Sequence, residues 1–288
     1  MDTKYVLFIP QGGINDCFCG IVRTISYCKM NNRTLLLDFT NSAYNINFSD
    51  YFDIKELDCS IIYNSNEIKN IISSLKNSNC LTVHPNNLDF NLIDLFDKTK
   101  KFNYKWHHDN SYSVNNIPLD LPINAEENVI LYLYGLGADG IIFFKNLLLC
   151  ENIKNIINKK LTILKENYLC IQVRNTDRKC DYKNLYENNK EYIHNFDQVY
   201  ICTDDKHAYD FFKSEKMNVL CFTTFPENTY RNLHDTKEIL PSTKMEDLLT
   251  DIFIATNSKS ILSNSKGGFI RLLQHCHKNK KYIMNMLS

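Results

Sequence analysis

Cys170-Ile171-Gln172-Val173-Arg174-Asn175-Thr176-Asp177 decides how this chain is read. The stretch from Tyr168 to Val173 is a short apolar run of the kind that forms a buried strand. It ends in Arg174 and turns over at Asn175. In open α/β sheets, ligands bind in the crevice outside the carboxyl ends of the strands. An arginine there carries a planar, permanently charged fork that suits a pair of phosphate oxygens. Asn175, Thr176 and Asp177 put polar groups beside it.

Two further strand ends have the same character. Val199-Tyr200-Ile201-Cys202-Thr203-Asp204-Asp205 is an apolar strand closing on two carboxylates. One of the two acids, Asp204 first, is the expected N-cap of a following helix. Ser260-Ile261-Leu262-Ser263-Asn264-Ser265-Lys266-Gly267-Gly268 runs from a strand through a polar turn into a helix. Small residues at such a turn let backbone N–H groups approach an anion, and the helix start favours negative charge. Ser263, Asn264 and Ser265 can equally serve only to cap that helix.

Working outward, the second half alternates. Strands are expected at 167–173, 198–202, 217–222, 260–263 and 281–284, with helices near 184–196, 205–214, 245–257 and 267–278. Such alternation implies a parallel sheet covered on both faces. The first half opens with a strand at 5–9 and the turn Gln11-Gly12-Gly13-Ile14-Asn15-Asp16. An apolar helical stripe through Ile21, Ile25 and Cys28 and a strand at 34–37 follow. That is a βαβ start whose glycine turn lies where a ligand would approach. It is neither a dinucleotide fingerprint nor a P-loop, because the third glycine and the Gly-Lys-Ser/Thr ending are absent. From 40 to 120 the pattern loosens into irregular structure and small helices. Within it Trp106-His107-His108-Asp109 reads either as a sugar-stacking cluster or as a surface loop. Residues 129–134 form a strand, and 139–149 and 151–164 are expected helices.

Composition narrows the class. The 288 residues carry 33 Lys plus Arg and 33 Asp plus Glu, so no broad charge draws the chain to nucleic acid or an anionic membrane. No apolar stretch reaches the roughly 20 residues of a membrane span. The start, Met1 to Pro10, enters a strand without the features of a signal peptide. With eleven scattered cysteines, an odd number, that start points to reduced thiols and a cytoplasmic location. Cys17-Phe18-Cys19 and His275-Cys276-His277 lack the paired spacing of a zinc site, so no metal is expected.

The three strand ends, in this order, resemble the peptide motifs of the fucosyltransferases, and most closely the α1,6-type. The first family motif, His-Val-Arg-Arg-Thr-Asp, stands here as Gln172-Val173-Arg174-Asn175-Thr176-Asp177. The second is Val199 to Asp205. The third runs from Asp251-Ile252 through Ser263 to Gly268 and Arg271. Gly12-Gly13 with the helix after it and Arg33-Thr34-Leu35-Leu36-Leu37 resembles the family opening. The likeness covers most of 165–275 and about 5–38.

The resemblance implies a GT-B-like α/β architecture, with two α/β halves facing a cleft and a Rossmann-like parallel sheet in the C-terminal half. Residues 1–164 would be the acceptor-side domain and 165–288 the nucleotide-sugar-binding domain. It implies a glycosyltransferase that moves L-fucose from GDP-fucose to a glycan or glycoconjugate hydroxyl with inversion and without a metal. Arg174 would neutralise the diphosphate, and Ser265, Gly267 and Gly268 would meet the same phosphates. Gly12, Gly13, Asn15, Gln172, Tyr192 and Asp205 would line the donor site. Asp251 would accept from the N1 and N2 hydrogens of guanine. Inverting transfer needs a group to take the acceptor proton; Asp181 is the first candidate and Asp177 the second. Two departures matter: the family histidine is Gln172, and its second arginine is Asn175, which removes a positive charge. They leave open a transferase of another GDP-sugar, and a silent nucleotide- or sugar-binding module on the same fold. A structural protein would instead pair Arg174, Asp205 and Asp251 with one another.

Overall fold

The computed structural model of the chain describes residues 3–108, 111–176, 179–215, 218–228, 233 and 236–288. Two compact units divide it, Met1–Leu148 and Leu149–Ser288.

In the first unit the elements run β1 (Lys4–Pro10), α1 (Ile14–Met30), β2 (Arg33–Leu37), β3 (Phe52–Ile54), β4 (Ile61–Ile62), α2 (Ser65–Asn77) and β5 (Val83–His84). Then come β6 (Tyr104–Trp106), β7 (Tyr112–Val114), β8 (Ile117–Pro118), β9 (Val129–Tyr134), α3 (Ile141–Phe144) and β10 (Leu147–Leu149). The main sheet is parallel, in the order β4-β2-β1-β9-β5. Its central strands carry continuous apolar runs, Val6–Ile9, Leu35–Leu37 and Val129–Leu133, because both faces are covered. Leu7, Ile9, Leu131 and Leu133 point to a cluster that holds Ile68 and Ile72 of α2 and Tyr112 and Val114 of β7. At α1, Phe18 packs on Phe143 and Phe144, with ring centroids 5.7 and 5.6 Å apart.

In the second unit the order is α4 (Glu151–Leu161), β11 (Tyr168–Val173), α5 (Tyr182–Ile193), β12 (Gln198–Thr203), α6 (Lys206–Ser214) and β13 (Val219–Leu220). It ends with α7 (Pro241–Asn257), β14 (Ser260–Leu262), α8 (Gly268–Lys278) and α9 (Lys280–Met284). The parallel sheet has the order β13-β12-β11-β14. Leu169, Ile171, Val173, Val199 and Ile201 face α5 and α6 through Leu185, Tyr186, Ala208 and Phe212. The alternate residues of β11 and β12 face α7, where the Tyr168 hydroxyl donates to the Ile254 carbonyl at 2.7 Å.

The expected α/β class with parallel sheets is what the chain adopts, and three local expectations are corrected. Residues 281–284, read as a strand, belong to α9, where Ile283 is fully buried. The apolar run Tyr282-Ile283-Met284 is too short to carry a periodicity that separates strand from helix. The helix expected over 139–149 is one turn, α3, followed by β10, which pairs with β3. The loose stretch contains a full helix, α2, and an antiparallel ribbon, β6-β7-β8. α2 is capped by Asn64, whose side chain accepts from the N–H groups of Asn66 and Glu67. The helix expected over 151–164 lies in the second unit as α4, together with the sheet of β11 to β14.

Candidate functional site

The three polar strand ends of the second unit are joined by hydrogen bonds. Asn175, two residues past the end of β11, is the hub. Its N–H donates to Asp204 Oδ1 at 2.8 Å and its Nδ2 to Asp205 Oδ2 at 2.6 Å. Its Oδ1 accepts from the Cys180 N–H at 3.2 Å. Thr176 Oγ1 donates to Asp204 Oδ2 at 2.6 Å. β11 and β12 are thus tied at their carboxyl ends by an amide, where the family motif has an arginine.

On the other flank, β11 is tied to the turn after β14. Gln172 is buried, and its Oε1 accepts from Ser263 Oγ at 2.8 Å. Ser265 Oγ accepts from the Arg174 N–H at 3.3 Å. Asn264 Nδ2 donates to the Asp181 carbonyl at 3.0 Å, and the Cys180 thiol donates to Asn264 Oδ1. Ser263, Asn264 and Ser265 therefore stitch strand ends together and do not cap α8. The N-cap of α8 is Gly267, which supplies no side-chain bond. The first N–H groups of a helix lack intrahelical acceptors, so this end is an anion-compatible terminus. Arg174 lies against it: a Cβ at Gly267 would be 3.6 Å from Arg174 Nη1. A larger side chain at 267 would crowd the guanidinium.

Two carboxylates hold hydrogen bonds within the fold. Asp205, not Asp204, is the N-cap of α6; its Oδ1 accepts from the His207 N–H at 2.9 Å. Both Asp205 oxygens are engaged within the fold. Asp251, in the middle of α7, is 7% exposed. Its oxygens accept from the Tyr200 hydroxyl at 2.5 Å and the Cys202 thiol at 3.3 Å. Burial raises its carboxyl from 3.8 to about 7. The two hydrogen bonds and Lys160 act against the rise, and Asp247 adds to it. Burial also pushes the Tyr200 and Cys202 hydrogens toward permanent attachment, so both remain donors.

Asp181 is exposed and caps α5, with Oδ1 accepting from the Asn184 N–H at 3.0 Å. Asp177 lies outside the described residues, as does Asp109 of the tryptophan cluster. Tyr192 is not brought to the strand ends. It sits ten residues after Tyr182 in α5, about 15 Å along the axis, toward the start of β12, with its ring edge on Phe196.

In the first unit, Gly12 holds φ +80, a left-handed conformation that glycine adopts without strain. Gly13 is the N-cap of α1 and offers no side-chain bond. Asn15 is buried and turned into the fold: its Nδ2 donates to the Gly137 carbonyl at 2.9 Å and its Oδ1 accepts from the Gly140 N–H at 3.2 Å. Beside the turn, Gln11 Nε2 is buried without a hydrogen-bond partner among the described residues. Arg33 donates to the carbonyls of Ala125 and Glu127 at 2.6 and 2.9 Å, a structural clasp at the start of β2.

The sequence motifs pointed to Arg174, Gln172, Ser265 and Gly267, and the fold gathers these. They gave no sign of the Cys180 contact with Asn264, 84 residues away, or of the Asn175 contact with Asp205, 30 residues away. Among the described residues no group of three His, Cys, Asp or Glu side chains is placed to hold a metal ion. None of the eleven cysteines forms a disulfide. No helix of the described residues is long and apolar enough to cross a membrane.

No protein-family model and no curated protein matches the sequence. Solved structures do. The NodZ alpha-1,6-fucosyltransferase soaked with GDP-fucose aligns over 94% of this chain and 92% of its own, with TM-score 0.55 and 14% identity. NodZ from Bradyrhizobium aligns over 95% and 93%, with TM-score 0.56 and 15% identity. POFUT1 in complex with GDP-fucose aligns over 96% and 94%, with TM-score 0.56 and 11% identity. The resemblance first read from three strand ends thus extends over nearly the whole chain, which has the fold of these fucosyltransferases.

Proposed function

We propose that this chain is a glycosyltransferase that moves L-fucose from GDP-fucose to a hydroxyl of a glycan or glycoconjugate, with inversion and without a metal. The observation that carries the reading is Arg174 lying against Gly267, the uncapped start of α8. A fixed positive fork beside free backbone donors matches a diphosphate that gains charge as it leaves, and it favours the transition state over the ground state. Residues 165–288 serve the donor and 1–164 the acceptor. Ser265 and Gly268 belong to the phosphate site, and Gln172, held by Ser263, steadies the strand end beneath it.

Asp181 takes the acceptor proton as the hydroxyl attacks the anomeric carbon; it is exposed and uses Oδ1 as a cap. Asp177 is the second candidate. Guanine is read by Asp251 through the acceptor capacity that Tyr200 and Cys202 leave, since an ionised carboxylate accepts about four hydrogen bonds. In the first unit the Gly12-Gly13 turn, with Gln11 Nε2 beside it, offers backbone and amide N–H groups to a ligand.

Asn175 favours a second reading of the sugar alone. It stands where the family has an arginine, and its amide is spent on Asp205 and Cys180. A different GDP-sugar then fits the same phosphate and base sites.

A thermal-shift series with GDP, GDP-fucose, GDP-mannose, UDP and UDP-glucose tests the assignment. A ligand at 100 times its Kd adds about 2.7 kcal/mol to stability, which is readily visible in the melting temperature. Stabilisation by guanine nucleotides alone supports the reading; equal stabilisation by UDP, or none by GDP, refutes it.

A further inference from the structure

The antiparallel ribbon of the first unit carries a pocket that the donor reading does not use. β6 and β7 pair Tyr104 with Val114 and Trp106 with Tyr112, so these residues share one face. On that face Tyr112 and Val114 are buried in the core. The intervening residues face the other way. There β7 and β8 meet at Asn115-Asn116, both with positive φ, as a two-residue hairpin requires. The His107 N–H donates to the Ser111 carbonyl at 3.0 Å and lengthens the ladder by one rung.

This face bounds a cavity of about 430 Å³, lined by His107, His108, Ser111, Ser113, Asn116 and Pro118. That volume lies in the range of small-molecule sites. Among the described residues the lining has no Lys, Arg, Asp or Glu, which disfavours phosphates and other ions. It offers imidazole, hydroxyl and carboxamide groups, each able to donate and accept, as neutral hydroxylated rings require. The site is partly preset: His107 Nε2 and Ser113 Oγ are 2.7 Å apart, with Ser113 2% exposed. Next to the lining residue His108, Trp106 is 49% exposed, and its ring stands edge-on to that imidazole with centroids 5.4 Å apart. An exposed indole beside a polar pocket offers an apolar face to the C–H side of a pyranose.

We propose that this pocket binds a neutral saccharide ring, with His107, Ser113 and Asn116 meeting its hydroxyls and Trp106 flanking it. As the subsite for the acceptor, the assignment rests on the transferase reading above; as a saccharide site, it is tested alone.

Trp106 is the single tryptophan of the chain, so emission excited at 295 nm reports on this region. The intact protein is titrated with neutral trisaccharides of glucose, galactose, mannose and N-acetylglucosamine, by fluorescence and by calorimetry. A saturable response to at least one is expected. His107→Ala and Ser113→Ala should each weaken it about tenfold, the loss of one well-formed hydrogen bond to a ligand. Their thermal melts establish folding, and their GDP affinity should equal that of the wild type. If no trisaccharide saturates either signal, or both folded variants bind as the wild type does, the pocket is not a saccharide site. Failure of GDP to bind the wild type refutes the donor reading and leaves this result standing.

Discussion

Replacing Asp251 by Asn separates the cost of a buried acid from its use in reading a base. The carboxyl is raised by burial from 3.8 to about 7, so the folded state holds a proton that the unfolded chain releases. Each tenfold difference in proton affinity is worth about 1.4 kcal/mol, and the span from 3.8 to about 7 therefore sets roughly 4 kcal/mol. Because the folded value is the higher one, this group makes stability fall as pH rises from about 4 to about 7; above that it adds no further slope. Asp251→Asn removes the titration. Its Oδ1 still accepts from Tyr200, and its Nδ2 faces Cys202. At pH 4 the two proteins should have similar stability. By pH 8 the variant should exceed the wild type by as much as 4 kcal/mol, read from urea unfolding at constant salt. GDP affinity should move oppositely. Guanine N–H groups need the ionised acid, whose fraction rises about tenfold from pH 6 to pH 8, so wild-type affinity rises by about that factor and binding releases a proton. In the variant the affinity should be weak and flat with pH. Parallel stability curves for the two proteins would refute the buried-acid argument, and equal GDP affinities would move guanine recognition away from Asp251.

The remaining expectations are more local. Asn175→Ala removes two side-chain bonds that join β11 to β12 and to Cys180, and should cost about 1–3 kcal/mol in urea unfolding; an unchanged midpoint would deny the hub its role. Gly12→Ala places a Cβ at φ +80, 3.3 Å from Asp16 Oδ2, and should cost about 1–2 kcal/mol by the same measure. Transfer from GDP-fucose should survive EDTA; loss of activity restored by Mn²⁺ or Mg²⁺ would require Asp204 and Asp205 to be read as ligands.

The parallel cores were legible because strands covered on both faces are largely apolar and stop abruptly at polar residues. Tyr168–Val173 and Gln198–Thr203 show this, and their ends carry the candidate site. Short elements were not: nothing in Tyr282, Ile283 and Met284 distinguishes a strand from the helix that packs there. The cap of α6 falls on Asp205 instead of Asp204, because either acid suits a helix start. The choice depends on Asn175, which is distant in sequence and close in space. Tyr192 was placed by motif spacing, whereas the length of α5 carries it to the other end of the sheet. Asp251 was recognised as a special carboxylate, but its contacts with Tyr200 and Cys202 depend on the packing of α7 under β12.

The central claim, that Arg174 and the start of α8 bind and activate a guanosine diphosphate sugar, is tested most directly by following GDP release from GDP-fucose in EDTA, with and without an oligosaccharide acceptor. The account predicts turnover by the wild type and about a hundredfold slower turnover by folded Arg174→Ala, the loss of roughly 3 kcal/mol of transition-state stabilisation. GDP binding without any consumption of GDP-fucose by the wild type, or undiminished turnover by the Arg174 variant, would contradict it.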